Sequence, residues 1–428
     1  MDMFKNMPDP KAPEAEVEAR MAKESAYVVI GAEVDDRRED KSVFASTPVA
    51  GSSAIYARDG GTVYLKDAEI HGYGEMTQED LRNELGSKYG FCAAVLANQK
   101  TAHVTLVNPK IVCHENSTAN GAYAIFNGAI VIEGGTIDTC NRQGHGVDAS
   151  YGGHVYCNGT KIHTGGMNSG ALATDFQGGY ITVRDIEAVT EIPGSPGIYT
   201  AGKSIITAYN SKFLSKGCEG VMVAHSLGHT YLYDCDITGT VALNTHNSMS
   251  DEYSYIHAYG GCLSSTQGAI LCAEDGKAVM NLDGVAIGNM ADGNLTMAKA
   301  GGKLVANLYG MTVTGDLARE KKSYLEVSLI DSSLTGKADA SLVKVGAGAK
   351  WVVTGESTVA VLEVSEGAVI EGAEKITAGK VIGNVPGVKK DESIQDDYEA
   401  KKMGPPPGMP GAPGGMPGGP GMPPPPPM

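Results

Sequence analysis

"HVYCNGTKIHTGG", residues 154–166, decides the fold. An alternating apolar run meets an Asn-Gly turn and is followed by a second short apolar step, which reads as two short strands joined by a tight turn. The phrase returns as "HVTLVNPKIVCHEN" from residue 103 and "HTYLYDCDITG" from residue 229. Its core is a six-residue unit: an apolar residue, any residue, then Asn, Asp or Gly, two more of any type, and apolar again. The unit starts at 65, 106, 132, 157, 183, 208, 232, 258, 282, 308, 329 and, with a weaker end, 353. The third position is Asn, Asp or Gly in every copy, as a left-handed or Asx turn demands.

Successive units are mostly 24 to 26 residues apart, with a 41-residue gap at the start and a 21-residue gap near the end. Two residues before each unit stand Val63, Val104, Ile130, Val155, Ile181, Ile206, Thr230, Ile256, Met280, Ala306, Val327 and Trp351, a column apolar but for one Thr. Alternation with the unit's first residue marks a strand with one buried face. A third short run, such as "GVDAS" or "GIYTA", precedes many units. Three short strands per repeat make one coil, and a coil buries its inward side chains only by stacking on others. The expected fold is therefore all-β: a single-stranded right-handed parallel β-helix solenoid of about twelve coils.

The domain reading is a cap segment over 1–27, a β-helix over 28–386, and a tail over 387–428. "PEAEVEARMAKES" has helix-forming composition and is expected to cap the first coil. The long gap holds "HGYGEMTQEDLRNELGSKYG", 71–90, where "TQED" opens like a capping box and predicts a short helical excursion. The tail, charged and then rich in Pro, Gly and Met, reads as extended and disordered, a spacer or an interaction arm.

The formal charge of −16 excludes nucleic acid and anionic membrane surfaces as the main partner. No apolar run is long enough to span a membrane. The first residues lack a basic cluster followed by an apolar core, so a cytoplasmic location is expected, with a secreted or surface location as the alternative if a leader was removed. Eight Cys without a C-x-x-C pair read as free thiols. Cys113 and Cys140 lie in consecutive coils, offset by one residue, where a disulfide is conceivable but not expected.

The register gives outward ladders. Just before each unit stand Tyr156, Thr182, Thr207, Tyr231 and His257; two residues earlier stand His103, His154, Tyr180, His229 and Tyr255, interrupted by Ala129 and Ile205. This broken Tyr and His stripe offers rings to sugar faces and polar edges to hydroxyls. The first strand presents Asp148, Tyr199 and Met222, with Tyr151, Asp175 and His225 just beyond it. Asp148, Asp175 and His225 are the candidate general acids and bases; Tyr151, His154, Tyr156, Tyr180, Tyr199, His229, Tyr231, Tyr255 and His257 are the candidate substrate-binding set.

Residues 244–362 carry a resemblance. The N-S-M-S stretch within "NTHNSMSDEYSYIHAYGGC", a Gly-rich coil turn and the W-x-V-T-G-x-S phrase in "AKWVVTGESTVAVL" resemble a family of bacterial adhesin-like β-helix proteins, mostly uncharacterised and often labelled carbohydrate-binding. That resemblance implies the same fold and a non-catalytic glycan-binding role. A hydrolase resembling the polygalacturonases would pair its "GHG" turn, present at 144–146, with an N-T-D motif, which is absent. Lyases of this fold hold Ca²⁺ with clustered Asp, and no such cluster stands out, so no cofactor or metal ligand is assigned and Ca²⁺ is the sole alternative.

Two functional classes follow. One is an enzyme (lyase, hydrolase or isomerase) acting on a carbohydrate or similar hydroxylated ring across coils 145–260. The other is an adhesin or glycan-binding module. His, Asp and Tyr gather in the middle coils, which favours the enzyme. The partner is a carbohydrate or small molecule in either case, and the oligomeric state is open.

Overall fold

The computed structural model describes residues 11–31, 35–99, 101–115, 117–224, 227–246 and 252–398. Among them the chain winds as a right-handed parallel β-helix whose strands stack into three long parallel sheets. The first sheet has 12 strands, from Tyr27–Ile30 to Asp316–Arg319; the second has 16, from Asp35–Arg38 to Lys389–Lys390; the third has 10, from Val43–Ala45 to Ala286–Met290, and a 4-stranded sheet continues its side. Twelve coils thus carry three strands each, as the repeat predicts.

The apolar column explains the stacking. Val63, Val104, Ile130, Val155 and Ile181 occupy one line on successive rungs of the second sheet, all facing inward. The exception, Thr230, is also buried, and its hydroxyl is bonded to that of Thr200 at 2.8 Å, so its polarity is satisfied inside. The turn column behaves as its residue types require: Asp67, Asn108, Asp185, Asn210, Asp234 and Asp331 all take positive φ, between 46° and 55°. Asn and Asp tolerate this left-handed geometry far better than branched residues do.

The column fails at its last member. Trp351 does not continue the line below Val327; Val343 and then Leu362 do. Trp351 instead stacks between Leu334 and Ile370 in the 4-stranded sheet, fully buried, its indole N–H donating to the Gly336 carbonyl at 3.0 Å. The cause is the end of the first sheet at Arg319. Later coils lack that side, the repeat shortens, and the unit beginning at 353 is out of register; the left-handed turns fall at Gly348 and Gly367 instead.

The helix Lys11–Glu24 lies on the flank, its Met21 packed with Tyr56, Phe91 and Tyr123 in a second apolar cluster on the outer face of the first sheet. The excursion joins the same cluster: Thr77 and Asp80 form the expected capping box, and Asp80 also pairs with Arg20 of the first helix at 2.9 Å. The open end of the solenoid is closed by side chains. Asp36 and Arg38 stand on the inward column, paired with each other at 3.0 Å, and the Arg38 guanidinium covers Tyr27 and Phe44 at 4.9 and 5.5 Å.

All eight cysteines are free thiols. Cys113 aligns with Thr139, so it faces the core while Cys140, one residue on, faces solvent; strand alternation keeps the pair apart. No helix among the described residues is long and apolar enough to cross a membrane.

Candidate functional site

The second sheet carries a field of Tyr and His that the register assembles from five strands. Its first column is His154, Tyr180, Ile205, His229 and Tyr255; its second is Tyr156, Thr182, Thr207, Tyr231 and His257. A third column, missed in the sequence reading, is Asn158, Arg184, Tyr209, Tyr233 and Tyr259. Its signal was in plain view, as the second residue of each unit. His103, Ala129 and Glu133 continue the columns outward on neighbouring rungs.

Within the field the rings lie face to face along the solenoid axis. Centroids are 4.7 Å apart for His154 and Tyr180, 4.8 Å for His229 and Tyr255, 4.9 Å for Tyr231 and His257, and 4.8 and 5.0 Å along Tyr209, Tyr233 and Tyr259. This spacing is the rung spacing itself, so each ring covers its neighbour's face. A Tyr and His ladder promises ring faces for a sugar, but most of these faces are covered by one another. What remains is a surface of phenol and imidazole edges, with ring faces open at the ladder ends, where Tyr180 and Tyr259 are 42% and 38% exposed.

The field is nearly uncharged. Burial holds His154, His229 and His257 below the ordinary imidazole range, and for His257 the nearby His229 adds to the effect. Arg184 is the one permanent charge in the three columns, its guanidinium 4.6 Å above Tyr209. In a chain of formal charge −16 such a neutral patch stands out chemically.

The first sheet holds a different chemistry. On its outer face Tyr56, Leu96, Tyr123, Asp148, Ala173, Tyr199 and Met222 form one line. Asp148 therefore follows directly on the apolar cluster under the first helix. It is fully buried, and neither carboxylate oxygen has a hydrogen-bond partner. Burial, then the nearby Asp175, pushes its carboxyl well above the ordinary range. The same burial, with both carboxylates adding, raises Tyr199.

His145, absent from the sequence candidates apart from its place in "GHG", completes the group: His145, Asp148 and Asp175 bring one ligand atom each within 4.8 Å of one another. This cluster has the composition to hold a small cation. The His145 ring is oriented by Gly170, whose backbone N–H donates to Nδ1 at 2.9 Å. In the neutral ring the proton then sits on Nε2, which makes that nitrogen a donor and leaves the two carboxylates as the groups fit for a hard ion. Tyr151 stands at the rim, in an apolar stack with Phe126 and Phe176. The third acid–base candidate, His225, lies outside the described residues, as does the whole N-S-M-S stretch, 247–250.

The candidate set is thus divided between two faces. Asp148, Asp175, Tyr151 and Tyr199 belong to the first sheet and its turns; His154, Tyr156, Tyr180, His229, Tyr231, Tyr255 and His257 belong to the second. The third sheet adds an open groove of about 550 Å³ over Asp138, His163 and Glu191. There His163 Nδ1 lies 2.9 Å from Asp138 and Nε2 lies 3.3 Å from Glu191, which Lys216 also engages at 2.8 Å. His163 is the second His of the 154–166 phrase, and only the first was read for function.

These sheets define the chain as a right-handed parallel β-helix. No family model matches it, and no curated protein matches it. Six chains of solved structures do match, among them the TibC-catalysed hyper-glycosylated fragment of TibA, at 15% identity with a TM-score of 0.33, over 86% of this chain and 98% of that one. The fold stands on the strand register alone.

Proposed function

We propose that this protein is a non-catalytic glycan-binding β-helix that engages its ligand on the second sheet, across the field from His154 to Tyr259. The observation that carries this reading is the neutral array of phenol and imidazole edges, three columns wide, in an acidic protein. Phenol hydroxyls donate and accept, neutral imidazole does both, and neither repels a hydroxyl-rich polymer. Rings already stacked on one another lose little freedom when a ligand arrives, so the surface is pre-organised. Tyr180 and Tyr259 supply the open ring faces on which a terminal sugar stacks.

A glycan array probed with the full chain tests this, followed by Tyr233→Ala and Tyr259→Ala on whichever glycan is retained. Each substitution is expected to weaken binding about tenfold, roughly 1.4 kcal/mol. Unchanged binding in both would remove the second sheet from the assignment.

One observation favours a second reading. A buried Asp148, its carboxyl pushed up by burial and by Asp175 and grouped with His145, has the surroundings that suit a general acid. On that reading the protein is a lyase, hydrolase or isomerase, with its substrate on the first sheet and the Tyr and His field as a remote anchor. Turnover of an array-identified glycan, abolished by Asp148→Asn with binding retained, would favour the enzyme. Fractionation of the native host then tells whether the protein meets its ligand in the cytoplasm or outside the cell.

A further inference from the structure

The geometry points to a transition-metal site on the third sheet: His71 and His114 hold a divalent ion of the zinc, copper and nickel class between Nδ1 of the first ring and Nε2 of the second. These two nitrogens face each other at 3.1 Å. Strand pairing brings them together from positions 43 residues apart in the chain. Glu69–Gly72 lies beside Lys110–Cys113 with His71 opposite Val112, and the His114 amide extends the ladder by donating to the Gly72 carbonyl at 3.1 Å. Alternation sends Ile70, Ile111 and Cys113 into the core and turns both imidazoles outward, onto one face.

The separation is the one that a shared ion requires. Two imidazole nitrogens, each about 2.05 Å from zinc, stand about 2.9 Å apart at a right angle and about 3.3 Å apart at the tetrahedral angle. The observed 3.1 Å falls between. Neighbouring groups prepare both rings. Glu69 Oε1 lies 3.4 Å from the far nitrogen of His71, Nε2, and is itself held by Lys110 at 2.6 Å. A carboxylate there draws the ring proton to Nε2 and leaves the Nδ1 lone pair facing His114, the orientation that metal-bound histidines take. Tyr73 lies flat on the His114 ring, centroids 4.1 Å apart and planes within 7°, and fixes its tilt.

Without an ion, His114 Nε2–H donates to His71 Nδ1. On binding, the His114 proton moves to its own Nδ1 and the ion takes both lone pairs, so each ring stays neutral and keeps one proton. Imidazole nitrogens suit zinc, copper and nickel, whereas calcium and magnesium ask for oxygen. The pair thus differs in chemistry from His145, Asp148 and Asp175 on the first sheet, the one group of three or more such ligands among the described residues. Cys140 stands beside His114 on the next rung, but its thiol is turned to Asp138 at 3.5 Å. Two protein ligands therefore leave the other positions to water or to a donor atom from a second molecule. The site owes nothing to the glycan reading, which uses the second sheet.

Zinc chloride added to the full chain tests the site through two readouts. In the first, histidines of the wild type are modified with diethyl pyrocarbonate and read peptide by peptide. With zinc at about four times its dissociation constant, labelling of His71 and His114 is expected to fall about fivefold by mass action, while His103 on the second sheet is unchanged and calcium protects none of the three. In the second, calorimetric titration is expected to show zinc affinity lowered about tenfold or more by His71→Gln and by His114→Gln, and about tenfold by Glu69→Gln, which leaves both ligands in place and removes only the group that orients one. Labelling of His71 and His114 indifferent to zinc would overturn the proposal, and this readout needs no variant to fold. So would zinc affinity that survives intact when both histidines are replaced, since the ion would then sit elsewhere.

Discussion

Asp148 is a buried acid without a partner, and its effect on stability has a definite sign. Its folded-state pKa is raised above the unfolded value, so the folded chain holds the proton more tightly. Stability on this account is fully present below the unfolded value near pH 4 and is lost as pH rises through the folded one. Asp148→Asn should therefore raise the melting temperature at neutral and alkaline pH and flatten its decline with pH, as read by calorimetry; a variant that melts lower across the whole range would show that the carboxylate is needed structurally. A small cation between Asp148 and Asp175 would replace the proton, and then added calcium should raise the melting temperature of the wild type and not of Asp148→Asn. The sequence brought Asp148 and Asp175 together, because spacing along a repeat fixes which residues fall on neighbouring rungs, and Asp175 lies just past the strand whose Ala173 pairs with Asp148. It could not show that His145 turns toward them, because that depends on the Gly170 amide one coil away.

At the scale of elements, the repeat is legible wherever every coil has three sides. Alternation and the Asn, Asp or Gly turn locate each strand of the second and third sheets through the middle of the chain, and the "TQED" capping box places the excursion's helix. Legibility ends at Arg319, where loss of the first sheet changes the coil length and Trp351 is assigned to the wrong line. Nor did pattern show where the excursion packs, which depends on one residue. Gly90 closes the excursion at φ +66°, and a Cβ there would lie 2.2 Å from the ring of the fully buried Tyr123. Gly90→Ala incurs the left-handed penalty of roughly 1–2 kcal/mol and a steric conflict besides. Limited proteolysis should cut this variant much faster within 71–90 while the middle coils stay resistant; an unchanged digestion pattern would contradict the packing described.

The whole molecule is a stack in which each coil leans on its neighbours, so its ends decide how it frays. After the final strand, Lys389–Lys390, residues 391–398 double back as a strap, with Asp396 accepting from the Ser341 hydroxyl at 2.9 Å and Asp397 pairing with Arg319 at 2.6 Å, which Asp339 also engages at 3.1 Å. For Asp397 burial acts upward, but the Lys322 amide and Arg319 outweigh it and leave its carboxyl below the ordinary range. A depressed acid stabilises above its unfolded value and loses that contribution as pH falls through the folded one, so the strap should loosen below about pH 4. Arg319→Ala should loosen it at neutral pH, seen as faster amide exchange over 389–398; exchange equal to the wild type would detach the strap from that ion pair. The opposite end has its own safeguard. A parallel solenoid with bare terminal strands could add further molecules end to end, growing into fibres. Here the outermost strand of the second sheet turns the paired charges of Asp36 and Arg38 toward the core, where an incoming strand would have to bury them, and the final strand is two lysines long. The molecule is built on the geometry of a polymer and ends in charge that keeps it from becoming one.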